Sequence, residues 1–178
     1  MSWLDRRSFA CAAAMVAISL SLSACFRPLY GPTASGERVD VTLAAIEVAE
    51  MDVIPAYERM SHYLRSEVVY ALNGSGLPAP KRYKLALGFS QTIQSPIVDT
   101  VTGRASSATV IGDVSYTLTT LDGSKVLSSG TATSYASYDR YSQRFTTVRA
   151  ARDADIRLAK ALADQIKTRL AVALATSG

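Results

Sequence analysis

Tyr83-Lys84-Leu85-Ala86-Leu87-Gly88-Phe89 is the stretch from which the rest of the chain can be ordered. Tyr83, Leu85, Leu87 and Phe89 are apolar and alternate with Lys84, Ala86 and Gly88, with Arg82 in front. Successive side chains of a strand point to opposite sides, so this period of two predicts a strand with one apolar face. The strand runs on through Ile93. Downstream, Asp99-Thr100-Val101-Thr102-Gly103 is a loop of hairpin size. Ala108, Val110, Val114, Tyr116 and Leu118 then line one face of a further strand, and Asp122-Gly123 is a tight-turn pair. Val126 to Tyr138 predicts another strand, rich in Ser, Thr and Ala. Its Gly130 and small side chains point to a flat or partly exposed surface.

Helices flank this block. From about Thr147, apolar residues recur at Ala151, Ala154, Leu158, Leu162, Ile166, Leu170 and Ala173, close to the helical period. Arg152, Arg157, Lys160, Asp164, Lys167 and Arg169 fall largely on other faces. Upstream, Pro55 suits a first helical turn and Asn73-Gly74 a stop. Tyr57, Met60, Leu64, Val68 and Ala71 share one face between them. Before that helix, Val39 to Ala49 is apolar and β-prone and predicts a first strand. Val41 and Leu43 have one parity, Ile46 and Val48 the other. The strand is therefore buried on both faces or bulged at Ala44-Ala45. The expected fold class is α+β, β-α-β-β-β-α, with two helices packed on one face of a four-stranded mixed sheet.

The N-terminus predicts an address, not structure. An apolar run from Phe9 to near Ala24 follows Asp5-Arg6-Arg7. It is shorter than the ~20 residues a bilayer crossing needs and rich in Ala and Ser, as secretory signals are. A retained membrane anchor is the competing possibility. Leu22-Ser23-Ala24-Cys25 resembles the bacterial lipobox, in which small residues enter the peptidase and the Cys thiol takes a diacylglyceryl group. Several acyl chains on Cys25 would give stable anchoring, each buried CH₂ contributing roughly 0.8 kcal/mol. Residues 1–24 are expected to be a signal peptide, residues 25–38 the lipidated Cys25 and a tether, and residues 39–178 a single α/β sandwich domain. The tether carries Pro28, Gly31, Pro32 and Gly36 with no period. Arg6-Arg7-Ser8-Phe9 matches a twin-arginine export signal in part, so the export route stays open. Phe26 after Cys25, where Asp favours inner-membrane retention in enterobacterial lipoproteins, points to the outer membrane.

Composition removes several functions. The chain has 178 residues, 48% hydrophobic and 19% charged, with one His and two Cys. One modest domain fits and intrinsic disorder does not. A disulfide scaffold is excluded, and one His with two distant Cys supplies no usual zinc set. From Cys25 on, 17 Lys+Arg stand against 14 Asp+Glu, a net +3. That is too little to argue for nucleic acid. No P-loop, G-x-G-x-x-G or G-x-S-x-G occurs. His62 sits off the apolar stripe of its helix and reads as a surface or boundary residue. Asp153 and Asp155 are two apart on a helix, do not share a face, and read as helix solvation. Glu47 and Glu50 nominate no facing pair for glycoside chemistry. No catalytic residues, metal site or cofactor are expected, and no enzyme.

Basic residues at strand ends carry the remaining signal. Lys81, Arg82 and Lys84 open the second strand, and Arg104 and Lys125 follow the two hairpin loops. Arg140, Arg144, Arg149 and Arg152 cluster ahead of the last helix, interleaved with Tyr135, Tyr138 and Tyr141. Arg and Lys beside Tyr can clamp phosphate or carboxylate groups of a polar lipid head. Ordinary solubilising charge is the simpler alternative.

The lipobox Cys25, then Phe26-Arg27-Pro28-Leu29-Tyr30-Gly31, then the β-α-β-β-β-α order, resembles the lipopolysaccharide-assembly lipoprotein family (LptE). The family often shows Cys-Gly-Phe-x-Pro-Leu-Tyr-Gly after the lipid site, and this chain lacks the Gly between Cys25 and Phe26. Thr133-Ser134-Tyr135-Ala136-Ser137-Tyr138 and the Ala-rich last helix with Asp153-Ala154 are also similar to the family. The resemblance implies an outer-membrane lipoprotein on the periplasmic face. It would act as plug and assembly partner of an LptD-like β-barrel translocon and help insert lipopolysaccharide into the outer leaflet. It also implies that lipopolysaccharide is bound. Lys81, Arg82, Arg104, Lys125, Arg140 and Arg144 are the candidate contacts, chosen by position alone. An accessory subunit of another periplasmic lipid-transport or secretion system is the alternative.

Overall fold

The computed structural model describes residues 36–51, 57–74, 76, 79–95, 103 and 105–176. Cys25, the signal segment, residues 25–35 of the tether, Arg104 and Asp99-Thr100-Val101-Thr102 lie outside the described residues.

The strand expected over Val39–Ala49 is half helix. Val39–Ala44 forms a short helix, α1, and only Ile46–Val48 pairs as a strand, β1. Val39 and Leu43 are four apart and bury together with Thr42 and Ala44, while Val41 stays exposed. A run such as Val-Asp-Val-Thr-Leu satisfies both periods. Here i, i+3, i+4 burial won over alternation. The change of parity after Leu43 is therefore a change of element, not a bulge.

The remaining elements follow the expected order. Helix α2 spans Glu58–Leu72, and strands β2, β3 and β4 span Tyr83–Gln94, Ser107–Thr120 and Val126–Asp139. Helix α3 spans Arg144–Thr176. The sheet order is β1-β2-β3-β4. β1 runs parallel to β2, with Ile46 opposite Tyr83, and the other neighbours are antiparallel. The sheet is therefore mixed, and α2 and α3 share one of its faces.

That face is the core. Leu85, Leu87, Val110, Val114 and Leu118 of the sheet, Met60, Leu64 and Val68 of α2 and Leu158, Leu162, Ile166 and Leu170 of α3 are all buried. α3 lies across β3 and β4 and against α2. Gly112 permits this close approach: a Cβ there would meet Leu158, Leu162 and Phe89 side-chain atoms at 3.1–3.2 Å. The Asp122-Gly123 turn is present, with Gly123 at φ 73° and its N–H donated to the Thr120 carbonyl at 2.8 Å. A positive φ of this size suits Gly, which has no Cβ to clash.

β4 is an edge strand, and α3 covers its outer carbonyls. Arg157 Nη2 donates to Ser137 O at 3.0 Å, Gln165 Nε2 to Thr133 O at 3.3 Å, and Arg169 Nη1 to Thr131 O. Four helical residues rise about 6 Å and two strand residues about 6.8 Å, so an i, i+4 row keeps step with alternate strand positions. Ala161, the position between Arg157 and Gln165, has no polar group to contribute. Capping an edge in this way blocks it from pairing with another strand.

Candidate functional site

The sheet face away from the helices is open. β2 presents Lys84, Ala86, Gly88, Ser90, Thr92 and Gln94 there, all exposed. β3 presents Thr109, Ile111, Asp113, Ser115, Thr117 and Thr119, and β4 presents Ser129, Thr131, Thr133, Tyr135 and Ser137. The register lines these up in rows such as Ser90–Asp113–Thr133 and Gly88–Ser115–Thr131. Several hydroxyls are satisfied across the ladder. Thr133 Oγ1 donates to Asp113 Oδ1 at 2.5 Å, Thr109 and Ser137 hydroxyls meet at 2.8 Å, and Ser115 Oγ donates to Gly88 O. The result is a polar surface three strands wide, made mostly of short side chains. Ile111 and the exposed ring of Tyr135 interrupt it.

The candidate cations do not form one site. Lys81, Arg82 and Lys125 lie at the end where β2 begins and β3 turns into β4, since Leu121 N–H donates to Arg82 O and Thr120 N–H to Lys125 O. Arg140 lies at the other end, its N–H donated to Ser106 O. Thirteen residue steps along β3 separate the ends by about 43 Å. At the first end, Lys81 and Arg82 are occupied. Lys81 Nζ donates to Ala44 O at 2.8 Å and Ile46 O at 3.0 Å, closing the end of α1. Arg82 pairs with Glu37 at 2.7 Å, and that hydrogen bond raises the guanidinium pKa further. Both are explained by the fold.

The other end is basic and aromatic. α3 begins at Arg144, about a turn earlier than the core periodicity predicts, and none of its residues is buried before Ala154. Thr147 ties the preceding loop down: Tyr141 N–H donates to its Oγ1 at 2.9 Å and the Oγ1 donates to Tyr141 O at 3.1 Å. Arg149 lies over the Phe145 ring at 5.7 Å and Arg152 over Tyr63 at 5.9 Å, with Arg152 Nε also donating to Tyr63 Oη at 2.9 Å. Phe145, Val148 and Ile156 line a shallow hollow with Arg149, Arg152 and Asp153. The sequence reading missed these three apolar residues because it followed the core-facing stripe. Their spacing of three and eight was a legible second stripe.

Asp155 corrects the expectation of two solvating aspartates. Asp153 is exposed and pairs with Arg157 at 2.8 Å. Asp155 is buried, bonded to Arg59 of α2 at 3.0 Å. Burial pushes its carboxyl up from the ordinary range, and the Arg59 contact only partly offsets this. Asp155 lines a cleft with Tyr57, Met60, Gln91, Val110 and Tyr138, where Tyr57 Oη donates to Gln91 O. His62 is exposed. Among the described residues no group of three or more His, Cys, Asp or Glu could hold a metal ion, and no helix is long and apolar enough to cross a membrane.

Comparison with solved structures gives the same fold. A candidate lipoprotein of Caulobacter crescentus superposes with a TM-score of 0.60 at 23% identity, covering 78% of this chain and 96% of the other. A minor lipoprotein of Acinetobacter baumannii gives 0.52 at 14% identity, covering 71% and 88%. The rare lipoprotein B of Shewanella oneidensis gives 0.52 at 13%, covering 71% and 93%. No curated protein matches by sequence. The profile of the lipopolysaccharide-assembly family, LptE, matches residues 43–170, from the end of α1 into the last turns of α3. The chain belongs to the LptE family of lipopolysaccharide-assembly lipoproteins.

Proposed function

We propose that this chain is a non-enzymatic outer-membrane lipoprotein that fills and helps assemble the β-barrel through which lipopolysaccharide reaches the outer leaflet. The open polar sheet face is the observation that carries the proposal. A wet barrel lumen is lined by polar side chains, and a Ser/Thr/Gly-rich surface with few long side chains can pack against such a wall. The capped β4 edge complements it, because a plug must present side chains to a barrel without adding strands to itself. Cys25 carries the lipid, residues 1–24 are removed, and the tether runs from Cys25 to about Arg38. The domain then sits at the periplasmic face of the outer membrane. Lipopolysaccharide contacts fall at the end where Arg140 and Arg144 lie, two cations that make no side-chain hydrogen bond or ion pair among the described residues.

Photo-crosslinkers test the face directly. A crosslinking residue at Ser115 or Thr131 should give an adduct with an outer-membrane β-barrel subunit in intact cells. Adducts confined to an inner-membrane ATPase would support the accessory-subunit alternative instead. Cys25→Ala should abolish metabolic palmitate labelling, and persistent labelling rejects the lipobox assignment.

A further inference from the structure

Charge is almost absent from the middle of the open sheet face. Among the described strand residues on that face, Glu47 of β1 stands opposite Lys84 of β2 at one end, and Asp139 of β4 stands opposite Ser107 of β3 at the other. Asp113 is the exception. It lies on β3, midway between Ser107 and Thr119, the partner of Lys84. Six strand residues span about 20 Å, roughly twice the screening length in physiological salt. Asp113 is half-buried among short neighbours, with Gly88 and Ser90 on β2, Ser115 along β3 and Thr131 on β4. Its Oδ1 accepts the Thr133 hydroxyl at 2.5 Å. No ion pair reaches it among the described residues. Arg157 and Arg169, at the β4 edge, donate instead to the carbonyls of Ser137 and Thr131. The next pair along the face is Ile111 and Tyr135, whose ring is 74% exposed.

We propose that Asp113 fixes the register of the barrel contact by receiving a cationic side chain, arginine or lysine, from the lumen wall. This rests on the reading of the open face as that contact. In the free domain water can hydrate the carboxylate. Covering the face removes that water, and a carboxylate buried without a partner costs more than the hydroxyls around it return. A neutral wall is therefore penalised at the centre of the face. A wall with one cation opposite Asp113 is accepted, and sliding the contact along the strands loses the match, because no other strand residue of the face offers a charge within about 20 Å along β3. The surroundings suit a long side chain. Gly88, Ser90, Ser115 and Thr131 are short, and Thr133 holds the carboxylate in place. Tyr135 is the diagonal neighbour of Asp113 across β3 and β4, about 7 Å away, within reach of the incoming stem or charge. A desolvated charge pair beside an aromatic ring is the usual make-up of an energetic centre in an interface.

The test uses the full chain in cells. Each tagged variant is produced with an equal amount of untagged wild-type chain. The β-barrel subunit recovered per tagged chain is read by mass spectrometry, and tagged wild type sets the reference. Asp113→Asn keeps an acceptor for Thr133 and removes only the charge. It should partition onto the barrel roughly thirtyfold less well, as when one member of a desolvated charge pair is lost. Asp113→Lys should do worse still, because it sets like charges against each other. Asp164→Asn removes an exposed charge of α3, away from this face, and should match wild type. Melting curves of the purified variants should coincide with wild type; if Asp113→Lys melts lower, Asp113→Asn and the crosslink decide. A photo-crosslinker at Ser90 should attach to a barrel peptide that contains a lumen-facing Arg or Lys. Asn or Lys at residue 113 partitioning as well as Asp overturns the proposal, and so does a Ser90 adduct on a barrel peptide without a basic residue. Either result leaves the barrel reading standing. Tagged wild type that recovers no β-barrel subunit overturns that reading and this proposal with it.

Discussion

Helix α3 is one continuous helix with two unlike parts. From Ala154 to Leu174 it buries a residue every three or four positions against β3, β4 and α2. From Arg144 to Asp153 it buries none, and its large apolar residues face outward. Backbone geometry is the same throughout, so the partner on each side makes the difference. The sheet is partner to the second part, and no described element covers the outer side of the first. An apolar residue in α3 therefore contributes to folding or to a surface according to which part it occupies, although its local sequence looks the same.

The largest test of that contrast is Leu162→Asp. Leu162 is fully buried, and a carboxylate there would have no partner. Loss of about 4 kcal/mol or more is expected, enough to unfold a small domain, read by urea titration and circular dichroism. A cooperative melt at the wild-type midpoint would break the contrast from its core side.

Opening the β4 edge should have an intermediate effect. Arg157→Ala, Gln165→Ala and Arg169→Ala together remove three caps, each costing roughly 0.5–1.5 kcal/mol as an intramolecular hydrogen bond. Exposed carbonyls at Thr131, Thr133 and Ser137 should also promote association through β4, detected by sedimentation velocity. A triple variant that stays monomeric and equally stable would show the caps to be incidental.

Asp155→Asn should act in the opposite direction. The native carboxyl pKa lies above its unfolded value, so folding favours the protonated form. That contribution is fully present below the unfolded pKa and is lost as pH rises through the native pKa. The cost of burying the charge is therefore complete once the pH exceeds the native pKa. Arg59 is 62% exposed and is not stranded by the change. Asn at residue 155 should leave the domain at pH 7 as stable as before or up to about 2 kcal/mol more stable. The gain should vanish in acid below the unfolded pKa of about 3.9. A loss of stability at neutral pH would mean that the Arg59 pair outweighs desolvation.

Smallest of all should be Val148→Asp, within about 0.5 kcal/mol of wild type in the same urea titration, as for surface positions without special contacts. A large loss would show that the first part of α3 is packed after all.

Much of the fold was legible because its pattern has a single reading. Tyr83, Leu85 and Leu87 alternate, and Leu158, Leu162, Ile166 and Leu170 step by four, so neither run suits the other element. Val39-Asp40-Val41-Thr42-Leu43 fits both periods, and only the packing of Val39 and Leu43 decides for helix. The site was less legible. Which loop cations share an end depends on sheet register, and Lys81 and Arg82 turned out to hold α1 and Glu37 in place. Asp155 looked like a solvated helix residue because Arg59, its partner, is 96 positions away in sequence.

The proposal that the domain serves a β-barrel partner can be tested outright. The most direct measurement is mild-detergent extraction of the full chain followed by mass spectrometry of what is retained. Recovery of one outer-membrane β-barrel subunit in a one-to-one ratio is the expected result. Recovery with an inner-membrane ATPase and no barrel would contradict it.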